Sequence, residues 1–241
     1  MSNLTQIEKT ISILKHPKDF KAIPSLPIKR QGQTVAYMRA VPSEPKGAAS
    51  NDARLMAEWR NAHKTAFFTW VTSTEESTGR WLKEKYAPNN QDIIFMLETI
   101  DHIPFGHVSL YHFQNNGAVC ECGRLLRQDG FGPKGGMTIC SFVLLLWAAV
   151  KLQINTFFLD VFSDNEQAIA LYKRIGFLAT STFPLRRTES DGVTRWEKIA
   201  DCPGSKPTVD GYSIRMELTA KQLFACDSEK IASSLCCFPQ E

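Results

Sequence analysis

Apolar and polar residues alternate with a period of two in several short runs and recur with a helical period in others, which predicts strands and helices mixed along one chain. Thr34 to Val41 is a strand candidate, ended by the breaker-rich run from Pro42 to Gly47. Leu55, Met56, Trp59 and Ala62 share one helical face, with Asn51 or Asp52 placed to cap it. Ser73-Thr74-Glu75-Glu76 is a capping-box pattern that opens a second short helix carrying Trp81 and Leu82. Asp92 to Glu98 and Phe105 to Tyr111 are strand-like runs separated by Asp101-His102 and Pro104, so they are expected to pair as a hairpin. After the turn residues Asn115-Asn116-Gly117, Ala118 to Arg127 reads as a strand that Gly123 interrupts as a bulge would.

The loop Gln128 to Gly136 carries four glycines and a proline and runs into Met137 to Leu152, a helix apolar on nearly every side and therefore buried. Thr156 to Val161 has the length and composition of a central strand. Overlapping cap signals from Ser163 to Glu166 open a helix with a stripe of Ala168, Leu171, Tyr172 and Ile175, closed at Gly176. Phe177 starts a new strand, the Asp191-Gly192 turn leads to Val193 to Lys198, and Tyr212 to Leu218 supplies a last strand. Pro17, Pro24 and Pro27 and the basic Lys29-Arg30 make residues 1–33 read as an extension laid over a main domain. This order predicts a mixed α/β domain with helices on both faces of a sheet that begins at Thr34.

Composition narrows the class. A chain of 241 residues that is 43% hydrophobic and 22% charged can build one sizeable core, which excludes disorder and a disulfide mini-scaffold. A net charge of +3, evenly spread, gives no footprint for nucleic acid or a membrane surface. The greasiest stretch, Ile139 to Val150, falls short of the roughly 18 to 20 residues of a membrane span. The first twenty residues lack a secretory pattern, so the cytoplasm is the expected compartment. The seven cysteines (120, 122, 140, 202, 226, 236 and 237) have no framework spacing and read as reduced thiols.

A glycine-rich turn that delivers its chain into a helix N-terminus can aim several backbone N–H groups at one anion. Alone it is as often an ordinary turn, and here it is neither a Walker sequence nor a dinucleotide fingerprint. The segment from Ala118 to Phe177, however, resembles the GNAT superfamily of acyl-coenzyme A dependent N-acyltransferases. The family's loop pattern is matched by Arg127, Gly130 and Gly132, or in a second register by Lys134-Gly135-Gly136-Met137. Leu159-Asp160-Val161, then Asn165, then the helix through Leu171-Tyr172 to Gly176-Phe177 resembles the more specific second signature. Trp59-Arg60-Asn61 and the segment from Ser73 to Trp81 resemble the first helices of relatives acting on amino sugars and related small amines.

The resemblance implies a GNAT-like fold: a central, twisted, mostly antiparallel sheet with two splayed parallel strands and helices on both faces. It divides the chain into residues 1–33, an acyltransferase domain over 34–218 and a tail from 219 to 241. It also implies acetyl-coenzyme A, or another acyl-coenzyme A, as cosubstrate, its arm lying between Ala118 to Arg127 and Thr156 to Val161. A backbone N–H near Leu125 or Leu126 would hold the oxyanion, Tyr172 would protonate the departing thiolate and Asn165 would contact the arm. An alkyl ammonium, with a pKa of about 10, must lose a proton before it attacks. Glu121 is the first candidate to accept it and Glu98 the second.

Each candidate has a plainer reading. Tyr172 fits a core aromatic and Glu121 a solvated strand residue. His102, His107 and His112 lack paired ligands at metal spacing, so no metal is expected. Cys120 and Cys122 read as packing, Asp160 as a substrate contact or a buried carboxylate, and Arg186-Arg187 as solvated charges or a grip on a phosphorylated acceptor. The expected activity is transfer of an acyl group to the primary amine of a small molecule, with a nucleotide-linked amino sugar as the specific instance, by direct attack on the thioester. The alternatives are a protein N-terminus or lysine as acceptor, which would need an open groove flanked by acidic residues, or a non-catalytic acyl-coenzyme A binding module. Residues 1–33 and the tail, with Leu223, Phe224, Ile231 and Leu235 as anchors, are expected to cover the acceptor cleft or the face of a homodimer.

Overall fold

The computed structural model describes residues 2–200 and 208–225. In chain order the elements are α1 (Asn3–Lys15), β1 (Ser25–Arg30), β2 (Gln33–Ala40), α2 (Asp52–Ala62), β3 (Thr69–Trp70), α3 (Glu75–Trp81), β4 (Asp92–Glu98), β5 (Pro104–Gln114), β6 (Val119–Arg127), α4 (Gly136–Lys151), β7 (Thr156–Phe162), α5 (Glu166–Ile175), β8 (Leu178–Ser190), β9 (Val193–Lys198), β10 (Gly211–Thr219) and α6 (Ala220–Ala225). All ten strands join one sheet in the order β1-β2-β4-β5-β6-β7-β10-β8-β9-β3. β6 and β7 run parallel, and the other neighbouring pairs are antiparallel. This is the mixed α/β fold expected from the pattern, with the mostly antiparallel sheet that the family resemblance implies. No helix among the described residues is long and apolar enough to cross a membrane.

Strand alternation sends side chains to two cores. On one face α1, α4, α5 and α6 pack on Leu26, Ile28, Phe95, Leu110, Cys120, Cys122 and Leu159. On the other, Met56 and Trp59 of α2 and Leu82 and Tyr86 beyond α3 cover Ile94, Met96 and Leu126. Cys120, Cys122 and Cys140 are free, buried thiols, and burial pushes Cys122 and Cys140 up to about 12. The remaining cysteines lie outside the described residues, as do Ile231 and Leu235. Leu223 is fully buried, whereas Phe224 is largely exposed.

Several local expectations are corrected. The sheet begins at Ser25, not Thr34: Ser25–Arg30 pairs with β2 from Ser25↔Arg39 to Arg30↔Gln33. Pro27 fits there because β1 is an edge strand, where a missing N–H costs no ladder bond. Ile7 and Ile11 of α1 have no exposed surface, and each contributes roughly 1.5–3 kcal/mol by that burial. α1 and β1 are thus built into the core through Ile7, Ile11, Leu26 and Ile28. Neither Asn51 nor Asp52 caps α2 through its side chain. Asp52 instead forms a bidentate pair with Arg39 at 2.8 Å, and Arg39 also binds Glu98. The capping box of α3 uses Thr74 and Ser77, one residue later than the Ser73 reading.

Candidate active site

β6 and β7 pair over only three rungs, Val119↔Thr156, Cys120↔Phe157 and Glu121↔Phe158, and then part. The cause lies on the other side of β6. Between His107 and Ser109 of β5 the register slips, so that Arg124 and Leu125 stand opposite the single residue Val108. Arg124 takes φ +50°, and this bulge bends β6 away from β7. Gly123 therefore precedes the bulge and does not form it. The guanidinium of Arg124 locks the bend with bonds of 2.6 and 2.9 Å to Asp92 and a stack 4.2 Å over the Tyr111 ring. Beyond Glu121, two strands of one sheet thus face each other across a gap instead of a ladder, a slot for an extended chain.

The glycine loop closes one end of that gap. Arg127 folds back, donating to the carbonyls of Phe131 (2.9 Å) and Gly132 (3.4 Å), so it shapes the loop. Gly130, Gly132 and Gly135 have φ of +67°, +88° and +72°. A Cβ on Gly132 would stand 2.7 Å from the Phe105 ring, and one on Gly136 2.9 Å from Pro133. The N–H of Gly136 is used by Pro133, and the first helical bond runs from Ile139 to Gly135. The N–H groups of Met137 and Thr138 therefore open the helix without intrahelical acceptors. Of the two sequence registers, the one closing on Met137 coincides with the helix start. A cradle of glycines ending in free amides fits a diphosphate.

Two side chains converge on the fork from opposite faces. Glu121, at the last rung, accepts from Tyr111 Oη (2.9 Å) and bonds His112 Nδ1 (2.8 Å). That bond, more than the burial that opposes it, lifts the His112 imidazole above its ordinary value. Tyr172 packs from α5, its ring 6.2 Å from Phe177, and burial, followed by the neighbouring Cys122, pushes its phenol well above 10. Asn165 caps α5, its Oδ1 accepting from Ala168 N at 3.1 Å. Leu125 lies in the bulge and Leu126 packs into the second core. Glu98 is buried, held by Arg39 on one oxygen and by His102 (3.1 Å) on the other.

Outside the fork, Asp160 is bonded by Arg215 (3.0 and 2.8 Å) and Lys198 (2.8 Å). Burial acts against its charge, but these cations prevail and lower its pKa. Arg186 faces Glu197 at 4.0 Å and Arg187 faces Glu189 at 3.4 Å. His107, missed as a neighbour of the fork, is buried beside Trp59, and burial lowers it to about 3, so it is neutral. Arg124 was also missed: only the bulge gives it a place, and no sequence pattern marks its positive φ.

A cavity of about 660 Å³ opens at the mouth of the gap. Phe162 and Asn165 from the end of β7 form one wall, and His63, whose Nε2 lies 3.2 Å from the Arg127 carbonyl, forms another. Trp70 and Trp196 meet there because β3 pairs with β9, with ring centroids 5.6 Å apart, and Phe162 lies 5.3 Å from Trp196. Among the described residues, the lining includes the carboxylates Asp164 and Asp210 and no lysine or arginine.

The family model of the acetyltransferase (GNAT) domain matches residues 47–178. No curated protein matches the chain. Among solved structures, it resembles spermidine N-acetyltransferase from Vibrio cholerae in complex with CoA and spermine (TM-score 0.60, 15% identity, covering 78% of this chain and 98% of that one). It also resembles the RimL ribosomal L7/L12 alpha-N-protein acetyltransferase in complex with coenzyme A (TM-score 0.59, 13% identity, 81% and 97%). A third similar structure is apo FdhC, a nucleotide-linked sugar GNAT (TM-score 0.56, 17% identity, 79% and 90%). At these identities the likeness is one of fold.

Proposed function

The chain belongs to the GNAT acetyltransferase family, and on that premise we propose that it transfers an acyl group from acetyl-coenzyme A to the primary amine of a small molecule. The observation that carries this reading is the parting of β6 and β7 after Glu121↔Phe158, with the glycine loop and the first turn of α4 at the same end of β6. When bound, the cosubstrate supplies a thioester carbonyl open to attack. Gly130, Gly132, Gly135 and Gly136 give its diphosphate room, the N–H groups around Met137 receive its charge, and Lys134 adds a cation. Arg127 holds the loop in shape. The main-chain N–H of Leu125 or Leu126 at the bulge is the oxyanion donor, and Asn165 borders the arm.

Tyr172 keeps its proton at any physiological pH and so serves as the acid toward the leaving thiolate. Glu121, at the apex of the gap and tied to His112, accepts the amine's proton. Glu98 is already engaged by Arg39 and takes no part in this scheme.

The aromatic walls and two carboxylates of the cavity suit a cationic amine. A nucleotide-linked sugar would bring its diphosphate against Asp164 and Asp210 with no cation in the described wall, so that instance is the weaker one. The same acidic flank favours the second reading, a protein N-terminus or lysine side chain. Release of free thiol from acetyl-coenzyme A with a panel of polyamines, amino sugars and short peptides tests all three. Turnover with polyamines or other cationic small amines supports the proposal and turnover with peptides alone supports the second reading, whereas binding without turnover across the panel leaves a non-catalytic module.

A further inference from the structure

The hairpin of β1 and β2 turns at Gln31-Gly32, both at positive φ (+50° and +79°), a two-residue connection that fixes Arg30 opposite Gln33. Arg30 follows Leu26 and Ile28 on the face that packs against α4. Its Nη1 and Nη2 each lie 3.4 Å from the carbonyl oxygen of Lys134. A Cβ on Gly135 would stand 3.2 Å from Nη2. The guanidinium therefore sits on the glycine loop, where α4 begins.

That placement leaves a solvent-exposed cation beside a helix start, held there by a single carbonyl. The first turn of a helix carries partial positive charge, so a cation beside it is repelled. Arg30 makes no ion pair with a carboxylate among the described residues. Arg127 bonds the carbonyls of Phe131 and Gly132 in the same loop, and the loop's one carboxylate, Asp129, turns toward His63 at 3.5 Å. Two guanidiniums thus bond the carbonyls of one glycine turn that opens a helix.

We propose that Arg30 binds the diphosphate of the acyl-coenzyme A, so that the N-terminal hairpin, which lies outside the family-matched residues 47–178, completes the cosubstrate site. This rests on the reading of the fork as a coenzyme site. The structure thereby gives residues 25–30 a binding role in addition to their place in the sheet.

Calorimetry on the full chain tests it with coenzyme A and with dephospho-coenzyme A, which keeps the diphosphate and lacks the 3′-phosphate. Arg30→Gln retains a donor for the Lys134 carbonyl and removes the charge, and Arg30→Lys retains the charge. Loss of a charge-assisted contact should weaken both ligands by roughly 10- to 100-fold in Arg30→Gln. It should also make binding less sensitive to salt, while Arg30→Lys keeps most of the affinity. Unchanged affinity in Arg30→Gln overturns the proposal, as does a loss confined to coenzyme A, which would put Arg30 on the 3′-phosphate. If Arg30→Lys fails along with Arg30→Gln and both melt early, Arg30 is structural and the proposal falls. If the unaltered chain binds neither ligand, the coenzyme reading falls with it.

Discussion

Glu121 stands opposite Phe158 on the last rung that β6 and β7 share, so its carboxylate marks the apex of the gap. Replacing it with glutamine keeps the shape and the Tyr111 contact but removes the charge. The expected result is a fall in kcat of about 100-fold with the affinity for acetyl-coenzyme A unchanged, read from thiol release and calorimetry. An unaltered kcat would place proton acceptance elsewhere.

The same carboxylate governs His112. Because the bond to Glu121 raises the imidazole's folded pKa above 6.5, the stabilisation from this contact is complete below the unfolded value. It is lost as pH rises through the higher folded value. An NMR titration should therefore find the His112 midpoint above 6.5 in the unaltered chain and closer to 6.5 in Glu121→Gln. Equal midpoints would mean that the bond is not formed in solution.

Tyr172→Phe removes one oxygen from a half-buried ring that packs on Phe177. The variant should fold normally, with a stability change of about 1 kcal/mol or less, and should bind coenzyme A as before. Its kcat should drop by roughly 10²- to 10⁴-fold, and a poorer thiol leaving group should widen the gap. Activity within a factor of two of the parent would return Tyr172 to the core.

Arg39 holds Asp52 and Glu98 together in the interior. Asp52→Ala leaves a one-to-one Arg39–Glu98 pair but strips the buried guanidinium of two hydrogen bonds, and should cost about 1.5–3 kcal/mol in urea unfolding. Glu98→Gln should also lower the urea midpoint, while the folded fraction keeps its kcat. A specific loss of turnover in Glu98→Gln at unchanged stability would restore Glu98 as a candidate base.

The loop offers a comparison between two glycines of like conformation. Gly130→Ala meets nothing within 4 Å and suffers only from its positive φ, about 1 kcal/mol. Gly132→Ala adds a clash with the Phe105 ring and should cost 1–3 kcal/mol more, with weaker coenzyme A binding. Thermal melts and calorimetry on the pair would show the difference, and equal effects would argue that the loop relaxes.

What the sequence made legible follows from how local each signal is. The hairpin of β4 and β5, the apolar α4, and α5 from its Asn165 cap to Gly176 are written in adjacent residues by period and cap chemistry, and their ends stand within three residues of expectation. The pairings that were missed join distant positions. Arg39 and Glu98 are 59 residues apart, and only the alignment of β2 with β4 brings them together. β3 is two residues long, too short for any alternation, yet it sets Trp70 beside Trp196. Pro27 looked like a breaker because a proline's place in a sheet depends on whether its strand is an edge, which is a property of the assembled sheet. Glu121, Tyr172 and the loop stood out as candidates because they lie on or beside matched motifs, while the places of Arg30 and Arg124 depend on a hairpin and a bulge.

The ion triad spans the boundary of the family-matched segment. A polypeptide started at Gly47 would retain Asp52 and Glu98 and lose Arg39, so two carboxylates would have to be buried with no counter-charge, besides the loss of the hydrophobic surface that α1 and β1 cover. Such a truncated fragment would be expected to expose β4 as a raw edge and to aggregate. Silence from that fragment in an assay would report a broken scaffold and carry no information about the enzyme.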